Sequence, residues 1–177
     1  MLSTIVFCED LPARHPGRDL AEVLARTLAS LVTAKVEGLL GDVRIAGPAR
    51  KGLNVVANHA GCALIEAENE MDCLSLALHA ARGPDVFLLR CGRAPEAGFI
   101  EEATDFGAKK NGGETRPARL RASPESFIER VFPPAAPLAG LIAPRSLLLR
   151  APRGGFQELA RGIGPATTFQ THARRIG

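Results

Sequence analysis

LSLALHAARGPDVFLLRCGRAPEAGFIEEATDF, residues 74–106, reads as helix, tight turn, buried strand, short loop and helix. Leu74, Leu76, Ala77, Leu78, Ala80 and Ala81 make a strongly apolar helical segment, which Arg82-Gly83-Pro84-Asp85 should stop. Val86-Phe87-Leu88-Leu89 is a continuous apolar run of the length expected for a strand covered on both faces, as at the centre of a mainly parallel sheet. It runs into Arg90-Cys91-Gly92-Arg93. In open α/β sheets ligands bind outside the carboxyl ends of such strands, so this cationic stretch is placed to meet one. Phe99, Ala103 and Phe106 then recur at helical spacing behind an acidic first turn.

The regions on either side fit an alternating pattern. Residues 2–7 are an apolar, β-branched first strand, with Glu9 and Asp10 just past its carboxyl end. Asp19 is a candidate N-cap, with Glu22 completing a capping box. Leu20, Val23, Leu24, Thr27, Leu28, Leu31 and Val32 give one apolar helical stripe. Residues 42–46 read as a second strand, followed by the basic, glycine-bounded loop Gly47-Pro48-Ala49-Arg50-Lys51-Gly52. Its Arg50 and Lys51 suit an approaching phosphate, although an ordinary surface loop reads the same way. A helix over 53–60 ends at Gly61, and 62–67 is a third strand. His59 and His79 read as packing or surface histidines. The acidic run 66–72 favours the amino terminus of the helix that follows.

Beyond Phe106 the composition changes. Residues 108–115 read as an exposed loop and 116–122 as a strand with Arg119 and Arg121 outward. A short helix through Phe132 has Pro124 at its first position, and Phe132 to Pro137 forms a stiff connector. Residues 138–143 are a further apolar strand.

The 177 residues are 46% hydrophobic and 23% charged, enough for one domain with a proper core. No run of eighteen apolar residues is present. The start lacks a basic leader, so a cytoplasmic location is expected. Cys8, Cys62, Cys73 and Cys91 are far apart in sequence, without a Cys-x-x-Cys pair, and read as reduced packing residues. The net charge of +3 conceals an asymmetry: residues 1–107 hold 10 basic and 15 acidic side chains, residues 108–177 hold 12 and 4. The second part, about +8, suits an anionic acceptor or a membrane surface, or simply solvated arginines. Nucleic acid is disfavoured, because the chain has no Tyr or Trp to stack on bases.

Residues 77–102, ALHAARGPDVFLLRCGRAPEAGFIEE, resemble the central block of family-two glycosyltransferases, where a helix ending Ala-Arg-Gly precedes an apolar strand ending in a metal-binding Asp-x-Asp. The first helix and the segment AGLIAPRSLLL with its later Gly154-Gly155-Phe156 turn also resemble that family. The resemblance implies a GT-A-like (Rossmann-like) α/β domain, its mostly parallel sheet covered by helices on both faces. Residues 1–107 would be the nucleotide-sugar-binding half and 108–177 the basic acceptor-side half. It also implies a nucleotide-diphosphate sugar as partner, gripped by Glu9 and Asp10. The departures fall on the chemistry: Arg90 and Gly92 occupy the Asp-x-Asp positions, and the acidic stretch expected after the second strand is replaced by Arg50 and Lys51. Gln157-Glu158-Leu159-Ala160-Arg161 stands where members carry a base and a Gln-x-x-Arg-Trp motif. Glu158 is therefore the one late candidate for a base, with Arg90 and Arg93 as candidates for the diphosphate. No metal and no other cofactor is expected at this edge. Two activities fit this pattern: a metal-independent or degenerate glycosyltransferase, or a non-catalytic module of the same fold.

Overall fold

The computed structural model describes residues 1–9, 19–49, 52–109, 116–132, 136–152 and 154–176. In chain order the elements are β1 (Leu2–Phe7), α1 (Leu20–Ser30), α2 (Val32–Val36), β2 (Leu40–Pro48), α3 (Leu53–Ala60), β3 (Ala63–Ala67), α4 (Glu70–Ala80) and β4 (Asp85–Arg90). They continue as β5 (Arg93–Pro95), α5 (Phe99–Ala108), β6 (Ala118–Ala122), α6 (Phe127–Val131), β7 (Leu138–Pro144), α7 (Arg145–Arg150), α8 (Phe156–Gly162) and β8 (Thr167–Arg175). The strands form one sheet in the order β3-β2-β1-β4-β7-β6-β8-β5.

The four strands read from the first part of the sequence are mutually parallel neighbours, with carboxyl ends on one edge. This is the outcome of helical crossovers between successive strands. The other half is mixed. β7 runs antiparallel to β4 and to β6, β8 is parallel to β6, and β5 pairs antiparallel with β8 at the far edge.

Alternate residues of the central strands feed two cores. Ile5, Phe7, Val86 and Leu88 pack beneath α4, α7 and α8 with Leu74, Leu78, Leu148 and Phe156. Val6, Cys8, Phe87 and Leu89 pack on the opposite face with Leu24 of α1, Leu53 of α3 and Phe99 of α5. All four residues of the Val86–Leu89 run are fully buried, as a strand covered on both faces requires.

Several local expectations are corrected. Asp19 caps α1 by accepting from the Ala21 N–H, but Glu22 pairs with Arg26 one turn on, so no capping box forms. α6 starts at Ser126, whose hydroxyl accepts from the Glu129 N–H, leaving Pro124 outside the helix. The 133–135 part of the proline connector and most of the 108–115 loop lie outside the described residues. Arg119 and Arg121 do not project into solvent: Arg119 Nη2 donates at 3.0 Å to the carbonyls of Ala160 and Gly164, and Arg121 Nη1 at 2.8 Å to that of Ala136.

α4 begins earlier than its apolar run, because the Asn69 side chain accepts from the Asp72 N–H and caps it. It also ends differently. Ala81 turns the chain extended, and Gly83 serves close packing instead, its N–H donating at 2.7 Å to the Ser3 hydroxyl while the Arg82 N–H donates to the same oxygen at 3.1 Å. Ser3 is 1% exposed and donates onward to Asp42. Ser3→Ala strands these polar groups, and a loss of about 1–3 kcal/mol in unfolding free energy is expected by urea denaturation.

The outer strand β8 is fastened to α5 by Glu102. Its carboxylate accepts from the N–H of Gln170 at 2.7 Å and from the N–H and hydroxyl of Thr171 at 3.0 and 2.7 Å. Burial alone would raise its pKa; these hydrogen bonds outweigh it and hold it below the usual value of 4.5. A depressed folded-state pKa contributes stability above the unfolded pKa, lost as pH falls through the folded one. Glu102→Gln should therefore be less stable than the parent at neutral pH, and the two unfolding midpoints should converge as pH falls below about 4.5.

Candidate functional site

The carboxyl ends of β1, β2 and β4 meet at one rim. Register pairs Phe7 with both Ala46 and Arg90, so the residues that follow each strand emerge side by side. Glu9 leaves β1 and its carboxylate binds Nη2 of Arg90, the last residue of β4. Arg90 Nη1 also reaches the Leu138 carbonyl at 3.4 Å, and its Cζ lies 5.7 Å from the centroid of the Phe156 ring. That ring stacks on Phe7 at 6.4 Å. One guanidinium is thus held by a carboxylate from the first strand, a carbonyl from β7 and an aromatic face from α8.

Two thiols stand one residue past the ends of the adjacent strands β1 and β4. Cys91 N–H donates to the Phe7 carbonyl at 2.8 Å, which brings the Cys8 and Cys91 side chains near enough to influence each other's ionisation. The contact with Cys91, followed by burial, raises the Cys8 pKa, while the contact with Cys8 comes first among the causes that lower that of Cys91. Thr27 Oγ1 lies 3.9 Å from Cys91 Sγ and accepts the Gly92 N–H at 2.9 Å. Gly92 has φ of 83°, a left-handed conformation that suits glycine and lets the chain turn from β4 into β5. Gly47 of β2 is fixed by crowding: a Cβ there would stand 2.9 Å from Cys8 Cβ and 2.6 Å from Leu53 Cδ1.

The remaining candidates are placed differently. Arg93 pairs with Glu125 at 3.0 Å, a carboxylate that Arg175 shares at 3.5 Å, and so belongs to a second ion cluster near α6. Glu158 sits two residues past Phe156, but its carboxylate accepts the Gly155 N–H at 3.1 Å and closes the first turn of α8. Asp10, Arg50 and Lys51 lie outside the described residues. The role of Phe156 as a cover for Arg90 and of Glu125 as the partner of Arg93 had no signal in spacing, since both depend on how distant elements pack.

Among the described residues, no three His, Cys, Asp or Glu side chains converge as a group able to hold a metal ion. The Glu9 carboxylate, the one acidic group described at the end of β1, faces a guanidinium, so the described residues of the rim do not form the oxygen cage a hard divalent cation takes. The cleft between Phe7, Gly47, Asn69 and Glu70 is small, about 120 Å³. A cavity of about 770 Å³ lies elsewhere, between α1, α2 and α3, over the Asp42–Arg44 ion pair at the amino-terminal side of β2. Its size fits a ligand, but no candidate residue lines it.

No family model and no curated protein matches the sequence. Solved structures do match in fold. Glucosyl-3-phosphoglycerate synthase from Mycobacterium tuberculosis, in complex with Mn²⁺, uridine-diphosphate and glucosyl-3-phosphoglycerate, is similar with a TM-score of 0.66 at 13% identity, over 99% of this chain and 72% of that one. Mannosyl-3-phosphoglycerate synthase from Rubrobacter xylanophilus is similar at 0.66 and 14%, over 99% and 67%. A mycobacterial protein is similar at 0.62 and 14%, over 98% and 65%. The mixed eight-stranded sheet with helices on both faces is the GT-A glycosyltransferase fold.

Proposed function

We propose that this chain is a divergent GT-A protein of the family-two glycosyltransferase type, binding a nucleotide-diphosphate sugar at the β1–β4 rim without a divalent cation. The observation that carries this reading is Arg90, a guanidinium at the end of the central strand where an Asp-x-Asp would present carboxylates. Its fork matches phosphate oxygens and can stabilise the charge on a departing diphosphate, the task a metal otherwise performs. A cation beside Arg90 would be repelled: like charges about 4 Å apart cost on the order of 4 kcal/mol at an effective dielectric near twenty.

In this reading residues 1–107 supply the donor side, with Glu9 and Asp10 toward the base and ribose and Arg50 and Lys51 near the phosphates. Residues 108–177 supply the acceptor side. Their positive surplus suits an anionic acceptor, a class for which the solved complexes with phosphoglyceric acid are a precedent in the same fold. Part of that surplus is structural, since Arg119, Arg121 and Arg145 are occupied with backbone carbonyls.

A second reading, a non-catalytic sugar-nucleotide module, is favoured by Glu158: an inverting transfer needs a base for the acceptor hydroxyl, and this carboxylate already closes a helix turn. Calorimetric titration with UDP-glucose, with Mn²⁺ and with chelator, tests both. The expected result is binding of equal strength in the two conditions. Binding that vanishes with chelator overturns the metal-independent reading, and no binding in either condition overturns the site.

A further inference from the structure

α6 is anomalous for a water-facing helix. None of its residues is buried, and Phe127, Ile128, Val131 and the following Phe132 are 78%, 69%, 67% and 61% exposed. Phe127 and Val131, at i and i+4, share one helical face, with Ile128 beside them and Phe132 at the carboxyl end of the helix, so four large exposed apolar side chains cluster on one short segment. Scattered exposed apolar residues are ordinary; a patch of four large ones is not.

The topology says where this patch points. β6 runs antiparallel to β7, which runs antiparallel to β4, so the carboxyl end of β6 falls on the same edge as those of β1 and β4. α6 follows β6 and therefore stands at the rim. Its entry is anchored by the Ser123 N–H donating to the Ala173 carbonyl at 2.9 Å and by Glu125 bridging Arg93 and Arg175. Arg130, on the same helix, and Arg174, which follows the Ala173 whose carbonyl accepts the Ser123 N–H at the entry to α6, are both exposed.

We propose that this face of α6 is a membrane-docking wedge: Phe127, Ile128, Val131 and Phe132 enter the boundary between headgroups and acyl chains of an anionic bilayer, with Arg130 and Arg174 against the lipid phosphates. Two arguments select a lipid surface. The four side chains expose on the order of 400–500 Å² of apolar area, about half of the roughly 800 Å² per partner that a stable protein interface buries, yet ample for a shallow apolar insertion. The neighbouring charge is also complementary to acidic headgroups. The inference goes beyond the sugar-nucleotide reading and does not rest on it.

Co-sedimentation of the full chain with vesicles of phosphatidylcholine alone, or mixed with phosphatidylglycerol, tests it. The wild type should sediment with the mixed vesicles, more weakly with phosphatidylcholine, and release as salt rises. Phe127→Ser with Phe132→Ser should reduce partitioning about a hundredfold. Its unfolding midpoint and its UDP-glucose titration should match the parent, because α6 contributes nothing to either core. Should that pair fail to fold, Ile128→Ser with Val131→Ser tests the same face. Arg130→Glu with Arg174→Glu should weaken binding to the mixed vesicles only. A wild type that stays in the supernatant overturns the proposal, as do serine variants that bind like the parent. Light scattering that shows a dimer broken by the serine variants, without vesicle binding, would assign the face to a second copy of the chain instead.

Discussion

Arg90→Ala is expected to weaken UDP-glucose binding by about 1.5–3 kcal/mol, the range for a hydrogen bond to a charged group, or roughly tenfold to over a hundredfold in Kd. The side chain is about one-quarter exposed and held from three directions, so its fork is already oriented when a diphosphate arrives. Its resident partner is the Glu9 carboxylate. Glu9→Gln removes that charge at a residue proposed to face the base and ribose, and should weaken binding too, by less than Arg90→Ala. A fall in both variants, measured by calorimetry, would assign Glu9 a contact to the nucleotide itself. Mn²⁺-dependent transfer that survives Arg90→Ala would place the site elsewhere.

Phe87→Ala should lower the unfolding free energy by about 3–5 kcal/mol, the range for emptying a fully buried aromatic position, out of a total of about 5–15 kcal/mol for a domain. Phe87 is 0% exposed and its ring centroid is 5.0 Å from that of Phe99, which in turn meets Phe169 edge-on at 6.0 Å. Across the sheet Gly140 leaves room for the ring: a Cβ there would stand 3.1 Å from Phe87 Cε2. The cavity lies between rigid strand and helix and has little means to collapse. Guanidinium denaturation gives the number directly. A shift below about 1 kcal/mol would contradict the placement of Phe87 at the junction of β4, α5 and β8.

Residues 74–106 were legible because an apolar run of strand length, bounded by Gly-Pro and by a charged end, has few other ways to be buried. The parallel half followed from the alternation around it. The antiparallel half was not legible in its direction, since periodicity records which face of a strand is apolar and says nothing about which way it runs. β8 was missed entirely: of its nine residues only Phe169 and Ala173 are buried, and the polar remainder has no strand pattern. β5 is three residues long and ends in Pro95, below any threshold of pattern. At the rim, strand ends that collect on one edge were enough to expect Glu9 near Arg90. Their mutual ion pair, the Phe156 cover and the diversion of Arg93 to Glu125 depend on side-chain packing between segments tens of residues apart.

The strand order also sets a sequence of events in time. β2 follows β1, and β3 follows β2, through single helical crossovers, so the β1–β2 and β2–β3 pairings close modest loops, whereas the β1–β4 pairing that sets Ser3 against Val86 joins distant parts of the chain. β5 directly follows β4 in the chain, yet it joins the sheet only through β8, in a register that sets Arg93 against Arg175. Loop closure of that span is entropically dearer and slower than closure of the local crossovers. The β1–β2–β3 unit can therefore assemble early, whereas the rim at the end of β4 waits on the distant β1–β4 pairing, and the Arg93–Glu125 cluster and the base of α6 acquire their shape only when β8 has docked.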